Sequence, residues 1–207
     1  VIMGECLSVI GDWDKALGHY TGAIALSAGS KNLELMAGAY LGSGEIYQHR
    51  SNMKLARIHF QKALELFEKL DNHTGLARVY YQFGVIHERA GEYKKSLQMF
   101  KKCKGLADMD SNKILLANAL NAFGRVRIRM GNERKAQTDL EKATILLEQC
   151  KNSRELAKTH CGLGILAFNR NDIESAIQHF SKAEKLADSI GDLRILGHAL
   201  MNLSSAY

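Results

Sequence analysis

Two glycine pairs have the spacing with which a phosphate-binding loop begins, Gly42-Ser43-Gly44 and Gly162-Leu163-Gly164. A dinucleotide-binding loop continues as G-x-G-x-x-G after a strand, because its backbone N–H groups must approach the phosphates closely. Here Tyr47 and Ala167 stand where the last glycine is required, and both segments have helical patterns. We therefore predict that these glycines serve helix packing and that the chain holds no cofactor.

Histidines recur at His19, His59 and His179, at one position of the chain's internal period. Zinc requires ligands about 2 Å from one ion, whereas equivalent helices in a stack lie about 8–10 Å apart. His160 and Cys161 are neighbours in the sequence, so on a helix their side chains point about 100° apart. We predict no metal site and no catalytic pair here, and we expect that the protein is not an enzyme.

The elements that position these residues follow a period of 40 residues. A turn residue recurs at that interval, at Gly11, Ser51, Gly91, Gly131 and Asn171. Most of these residues favour the left-handed conformation that ends a helix. N-cap residues, whose side chains bind free backbone N–H groups, come directly after most of these turns. A second boundary in each period also carries N-cap residues, at Asn32, Asn72, Asn112, Asn152 and Asp192. Each period is therefore predicted to contain two antiparallel helices.

Each period also alternates small and large residues along one stripe of its second helix. In the third period these residues are Ser96, Phe100 and Cys103. A glycine recurs in the first helix, at Gly4, Gly44, Gly84, Gly124 and Gly164. Glycine in a helix interior costs about 1 kcal/mol relative to alanine. Its repetition at one position predicts a close contact between two helices.

This pattern resembles the tetratricopeptide repeat (TPR), whose signature has an aromatic residue and L-G in helix A, then A, F and A in helix B. The third period carries Tyr80, Phe83-Gly84, Ser96, Phe100 and Cys103 at these positions. The resemblance implies an all-α fold, a right-handed superhelix (α-solenoid) of about five antiparallel helix pairs. The 40-residue interval exceeds the usual length of about 34 residues. It is similar to the extended-helix arrays of LGN/Pins, kinesin light chain and rapsyn.

We expect a single TPR array over residues 1–207. Its repeats are predicted at about 1–30, 31–70, 71–110, 111–150 and 151–190, with a partial repeat at 191–207. Neither end has the pattern of a capping repeat, so we expect a fragment of a longer chain. The alternative is that exposed ends pair with each other in end-to-end self-association.

Composition limits the compartment and the partners. The sequence has no apolar run of 18 residues, so no membrane span is predicted. The four cysteines form no C-x-x-C pair, which favours reduced thiols and a cytoplasmic location, with the nucleus as the alternative. The net charge of +6 either attracts acidic partners or reflects solvated helix faces. Aromatic residues make up only 7% of the chain, which disfavours nucleic acid as a partner because few rings are available for stacking.

The resemblance implies that the helix A residues line a concave groove where extended peptides bind. In the third to fifth repeats, these implied groove residues combine cationic, amide and apolar side chains. They are Arg78, Tyr81, Arg89, Asn118, Asn121, Arg125, Arg129, Lys158, Ile165 and Phe168. Arginine holds carboxylates through forked donors, and asparagine can pair with a peptide backbone. We therefore predict a scaffold or adaptor that binds an acidic, partly hydrophobic segment of a partner protein. A merely solvated inner face, a regulatory or sensor domain of a larger signalling or transcription-regulating protein, and a nucleic-acid-binding surface remain as alternatives.

Overall fold

A computed structural model of the chain describes residues 1–9, 11–30 and 32–207. The described part contains helices and no strand. The helices are α1 (Ile2–Val9), α2 (Trp13–Ser30), α3 (Leu33–His49), α4 (Met53–Lys69), α5 (His73–Arg89), α6 (Tyr93–Met109), α7 (Lys113–Arg129), α8 (Glu133–Gln149), α9 (Ser153–Asn169), α10 (Ile173–Ser189) and α11 (Leu193–Ala206). The all-α prediction and the predicted helix pairs are confirmed.

The contacts divide the chain into two compact units, residues 1–110 and 111–207. The division coincides with a predicted repeat boundary. The prediction of one array over the whole chain stays a prediction.

The first unit consists of α1 to α6. Helices α1, α3 and α5 form one layer, because α3 contacts both α1 and α5. Helices α2, α4 and α6 form the other layer, each packed against the odd-numbered helix before it. The core lies between the layers and includes the fully buried Phe60 and Phe100.

The second unit consists of α7 to α11 and repeats this arrangement. Helix α9 contacts α7 and α11 on its flanks, and it packs against α8 and α10. Leu140 and Phe180 fill the space between the layers. No helix in the described part of the chain combines the length and the apolar character needed to cross a bilayer.

The glycine column lies where the helices of a pair touch. A Cβ atom built on Gly84 would lie 2.4 Å from Cε1 of Phe100, and one on Gly164 would lie 2.4 Å from Cε1 of Phe180. Gly4, Gly44 and Gly124 face Tyr20, Phe60 and Leu140 in the same way. The predicted close contact is confirmed, because no larger residue fits beneath these side chains.

The turns have the predicted left-handed backbone. The turn column has positive φ throughout, from 59° at Ser51 to 85° at Gly11. The other boundary has the same conformation at Asp71, Ser111 and Lys151, which the residue types did not predict. The N-cap column at Asn32, Asn72, Asn112, Asn152 and Asp192 accepts a hydrogen bond from the third following N–H in every copy.

Candidate functional site

One helix face in the second unit leaves apolar side chains open to solvent. We call Lys158, Cys161, Ile165 and Phe168 the α9 stripe, because their spacing of three, four and three residues aligns them along one side of α9. Ile165 is 37% exposed and Phe168 is 38% exposed. Since α7, α8, α10 and α11 occupy the other sides of this helix, the stripe is the side of α9 that can meet a ligand.

Lys158 and Cys161 are the polar members of the stripe, and each has a partner or an environment that limits its reactivity. The ammonium of Lys158 donates to Oε1 of Glu155, 2.6 Å away. Cys161 is half-buried, and its burial raises the pKa of the thiol to about 11. A protonated thiol is a poor nucleophile. Cys161 therefore contributes contact area to the stripe at neutral pH.

The neighbouring helix α7 carries four of the predicted groove residues. Asn121 is only 5% exposed, and its Nδ2 donates to Oγ1 of Thr159 at 2.7 Å. This hydrogen bond joins α7 to α9, so the amide is already used within the unit. Arg125 is half-buried and Arg129 is exposed, one turn apart on the same helix.

Asn118 lies one turn before Asn121 on α7. Its Oδ1 is buried and has no hydrogen-bond partner among the described residues. Unlike the amide of Asn121, the amide oxygen of Asn118 does not join α7 to a neighbouring helix.

The first unit carries Arg78, Tyr81 and Arg89 on α5, and all three have contacts inside that unit. Nη2 of Arg78 lies 3.9 Å from Oε1 of Glu45 on α3. Nη1 of Arg89 donates to the backbone oxygen of Gln48 at 3.1 Å. The ring of Tyr81 packs against that of Phe100, with centroids 5.6 Å apart.

Glu45 gives this face of the first unit a carboxylate of its own. Burial raises the pKa of Glu45, although Arg78 and the hydrogen bond from Gln82 act in the opposite direction. Nε2 of Gln82 donates to Oε1 of Glu45 at 2.8 Å. Glu45 therefore already partners Arg78, one of the predicted groove cations, within the first unit.

The predicted site residues thus fall into two sets. Three belong to residues 1–110 and seven belong to residues 111–207. Within the second unit, contact between α7 and α9 brings the helices that carry Asn118, Asn121, Arg125, Arg129, Lys158, Ile165 and Phe168 side by side. That both sets line one groove stays a prediction.

The sequence interpretation missed a pair of imidazoles. Nδ1 of His160 on α9 lies 3.2 Å from Nδ1 of His179 on α10. The equivalent positions in the second repeat also meet, since the rings of Tyr40 and His59 have centroids 5.5 Å apart. Comparing facing columns of the two helices, rather than one column at a time, could have revealed the pair.

The environment of these imidazoles keeps them neutral at pH 7. Burial, with smaller effects of His179 and Lys182, lowers the pKa of His160 to about 4. Burial also lowers the pKa of His179. Among the described residues, no group of three or more His, Cys, Asp or Glu side chains is arranged to hold a metal ion.

Comparison with known proteins identifies the fold. The protein-family model described as tetratricopeptide repeat matches residues 35–107 and 115–189. No curated protein sequence matches the chain.

Several solved structures are similar to this chain. The crystal structure of aspartyl phosphate phosphatase F from Bacillus subtilis has a TM-score of 0.80 and 15% identity over 99% of this chain and 54% of that one. A Rap protein complexed with Competence and Sporulation Factor has a TM-score of 0.77 and 15% identity over 99% of this chain and 62% of that one. BtubC (BKLC) from P. vanneervenii has a TM-score of 0.73 and 12% identity over 94% of this chain and 82% of that one. At these identities the likeness concerns the fold, and the chain spans less than two thirds of the first two structures.

Proposed function

The chain belongs to the tetratricopeptide repeat family, and we propose that it is a protein–protein interaction module, a scaffold or adaptor. Its ligand is an extended segment of a partner protein that contains acidic and apolar side chains. The observation that carries this proposal is the α9 stripe. Two large apolar residues remain more than one-third exposed there, on a helix whose other sides are covered.

Apolar contact supplies the affinity in this proposal. An extended peptide that covers Ile165 and Phe168 removes their exposed surface from water, and each square ångström of apolar surface buried contributes about 25 cal/mol. Only the exposed part of the Ile165 and Phe168 side chains can be buried by the peptide. The stripe therefore suits a short peptide whose apolar residues alternate with polar ones.

Charge supplies the preference for acidic partners. Arg125 and Arg129 lie on α7, which contacts α9, and Lys158 lies on the stripe itself. Lys158 contacts Glu155 on the same helix. Arg125 and Arg129 add two guanidinium groups, one turn apart on α7. Arginine pairs with carboxylates through two parallel hydrogen bonds. An Asp or Glu side chain of the bound segment can accept these two hydrogen bonds.

A peptide-display selection against residues 1–207 tests the proposal. We expect the selected peptides to combine Asp or Glu with an apolar residue. The Arg125→Glu/Arg129→Glu variant should bind them at least about tenfold more weakly, a loss of about 1.4 kcal/mol. The matched control is Arg134→Glu/Lys135→Glu, which makes the same charge change on exposed positions of α8. Fluorescence anisotropy measures the affinities, and circular dichroism checks that each variant is folded.

The apolar part of the surface needs its own comparison. Phe168→Ala should weaken the selected peptides, whereas Ile145→Ala, at a 56% exposed position of α8, should leave their affinity unchanged. Equal affinities for all variants, or selected peptides without acidic residues, would refute the proposal. Pull-down from lysate with the arginine variant then extends the test to natural partners.

The alternative proposal is a regulatory or sensor domain of a larger signalling or transcription-regulating protein. It is supported by the likeness to a Rap protein complexed with Competence and Sporulation Factor. A sensor must change shape or order when its ligand binds. Hydrogen exchange of α7 to α11 with and without a selected peptide distinguishes the two. A scaffold protects only residues near the stripe, whereas a sensor changes protection throughout the unit.

A further inference from the structure

The positive charge of this chain is concentrated on two helices of the first unit. Helix α4 carries four cations and two anions, and α6 carries five cations and one anion. Their combined excess of six positive charges equals the net charge of the whole chain, +6. The remaining residues are therefore balanced between cations and anions. Both helices belong to the layer of α2, α4 and α6, whereas the predicted groove residues of this unit lie on α5.

Two lysines of this layer are held in place without losing their charge. The ammonium of Lys62 lies 5.1 Å from the ring centroid of Tyr40, and that of Lys102 lies 4.8 Å from the ring centroid of Tyr80. A cation–π contact attracts an ammonium to a ring that carries no net charge. Lys62 and Lys102 therefore still present a positive charge to a ligand.

A shallow groove of about 500 Å³ runs along the exposed side of α4. We call it the α4 groove, and its lining consists of Arg57, Ile58, Gln61, Lys62, Glu65 and Phe83. Ile58 is 43% exposed. Phe83, from α5, is half-buried and packs against Phe60, with ring centroids 6.0 Å apart. The groove therefore combines an apolar surface with charged side chains.

The charges are arranged unevenly along the α4 groove. Arg57 and Lys62 are exposed, and Ile58 lies next to Arg57 and one turn before Lys62. The carboxylate of Glu65, at the other end, accepts a hydrogen bond from Nε2 of Gln61 at 3.2 Å. A ligand that covers Ile58 therefore places its flanking residues beside two cations.

We propose that the α4 groove is a second docking surface, which binds an acidic segment of a partner protein through one large apolar side chain flanked by carboxylates. Complementary charge selects the acidic segment, and the burial of Ile58 and Phe83 adds apolar contact. The surface is distinct from the α9 stripe, because it belongs to the first unit and shares no residue with the stripe.

Other polyanions fit the α4 groove less well. Proteins that bind single-stranded nucleic acid stack its bases on aromatic rings, whereas Phe83 is half-buried and lysines face the rings of Tyr40 and Tyr80. A helix that binds a membrane surface buries a broad apolar face in it. Helix α4, which the structure describes in full, exposes one large apolar side chain, Ile58.

The equivalent surface of the fourth repeat differs and supplies the control. Arg57 and Lys62 correspond there to Gln137 and Lys142 on α8. Nη1 of Arg170 donates to Oε1 of Gln137 at 2.6 Å, so a side chain of the same unit already contacts that position. Helix α8 carries three cations and four anions, and it therefore lacks the excess positive charge of α4 and α6.

Peptide display against a chain with a disabled α9 stripe tests the proposal. The bait carries Arg125→Glu, Arg129→Glu and Phe168→Ala, so the result does not depend on the function proposed above. We expect the selected peptides to contain a large apolar residue flanked by Asp or Glu. Fluorescence anisotropy then measures their affinities for the wild-type chain and for variants of the α4 groove.

Arg57→Glu/Lys62→Glu should weaken the selected peptides at least about tenfold, and Ile58→Ala should weaken them at least about threefold. Arg134→Glu/Lys142→Glu makes the same charge change on exposed positions of α8 and should leave the affinities unchanged. Circular dichroism checks that each variant is folded. Peptides selected against the wild-type chain and sorted with these variants provide a second route to the same comparison.

Several results would overturn the assignment. They are a selection that enriches no peptide, affinities that Arg57→Glu/Lys62→Glu leaves unchanged, and an equal loss in the α8 control. The variant pair is also tested with a short DNA duplex and with phosphatidylserine vesicles. If either binds the wild-type chain more tightly than the selected peptides and is lost in Arg57→Glu/Lys62→Glu, the α4 groove serves nucleic acid or a membrane instead.

Discussion

At the scale of single residues, a recurring contact joins a glycine of the first helix in a pair to a large side chain of the second. Gly84 lies so near Phe100 that an added Cβ would be 2.4 Å from Cε1 and 2.6 Å from Cδ1. Both residues are buried. The free-energy cost of a glycine in a helix interior is therefore offset by the tight packing that its missing side chain permits.

Gly84→Ala should destabilise the protein, although alanine is the better helix former. The gain in helix propensity is about 1 kcal/mol, whereas forcing an extra carbon into a packed core typically costs about 1–3 kcal/mol, and more where the clash is severe. Urea denaturation followed by circular dichroism measures the difference. Gly105→Ala is the control, because Gly105 is exposed on α6 with no atom within 4 Å of its added Cβ. It should stabilise by up to about 1 kcal/mol, and equal shifts of both variants in one direction would contradict this explanation.

At the scale of elements, α9 and α10 are held by the contact of Gly164 with Phe180 and by the imidazole pair. The pair is buried in its neutral form. Burial lowers the pKa of His160 to about 4, whereas an unperturbed histidine has a pKa of about 6.5. The unfolded chain therefore takes up protons at a higher pH than the folded chain does.

Stability should fall as the pH decreases from about 6.5 toward 4. Stability rises with pH wherever the unfolded state binds more protons, so the contribution of His160 is complete above pH 6.5 and is lost as the pH falls through its folded pKa. Each pKa unit corresponds to about 1.4 kcal/mol, which gives an effect of a few kcal/mol.

The measurement compares urea denaturation of the wild type and His160→Leu between pH 7.5 and 4.5, with a chelator present. The wild type should lose more stability over this range than the variant does. Parallel pH profiles for the two proteins would show that His160 is not the group responsible. His59→Met is a control in the second repeat, because burial lowers the pKa of His59 as well.

At the scale of the whole molecule, each unit has a core of its own. Phe100 lies in the core of residues 1–110, and Phe180 lies in the core of residues 111–207. In repeat proteins, stability is approximately the sum of the repeats and their nearest-neighbour contacts. A destabilising substitution in one core should therefore destabilise mainly the helices that contact the substituted residue.

Phe180→Ala should cost about 3–5 kcal/mol and accelerate amide hydrogen exchange in α9, α10 and α11. The amides of α3 to α6 should keep their protection, since local opening depends on local contacts. Phe100→Ala, the equivalent change in the third repeat, should produce the reverse pattern. Uniformly faster exchange across both units in either variant would show that the chain unfolds as one cooperative body.

The sequence by itself determined the helices and the position at which the two helices of each pair approach closely, the glycine column. A residue type that recurs every 40 positions faces the same environment in each copy, so the glycine column and the turns at Gly91 and Gly131 could be assigned from spacing alone. Family membership followed from the same columns. The helix ends were equally predictable, because an N-cap such as Asn72 needs only the N–H of Gly75, three residues away.

Only the tertiary structure decided which side chains meet across helices and which of them are already engaged. The contact of His160 with His179 and the hydrogen bond from Asn121 to Thr159 join residues 19 and 38 positions apart. The left-handed backbone at Lys151 was likewise hidden, because it is imposed by the geometry of the turn on a residue that does not prefer it. A repeat pattern specifies the facing positions, but the bonding between two facing side chains depends on their distance and orientation, which only the packed helices determine.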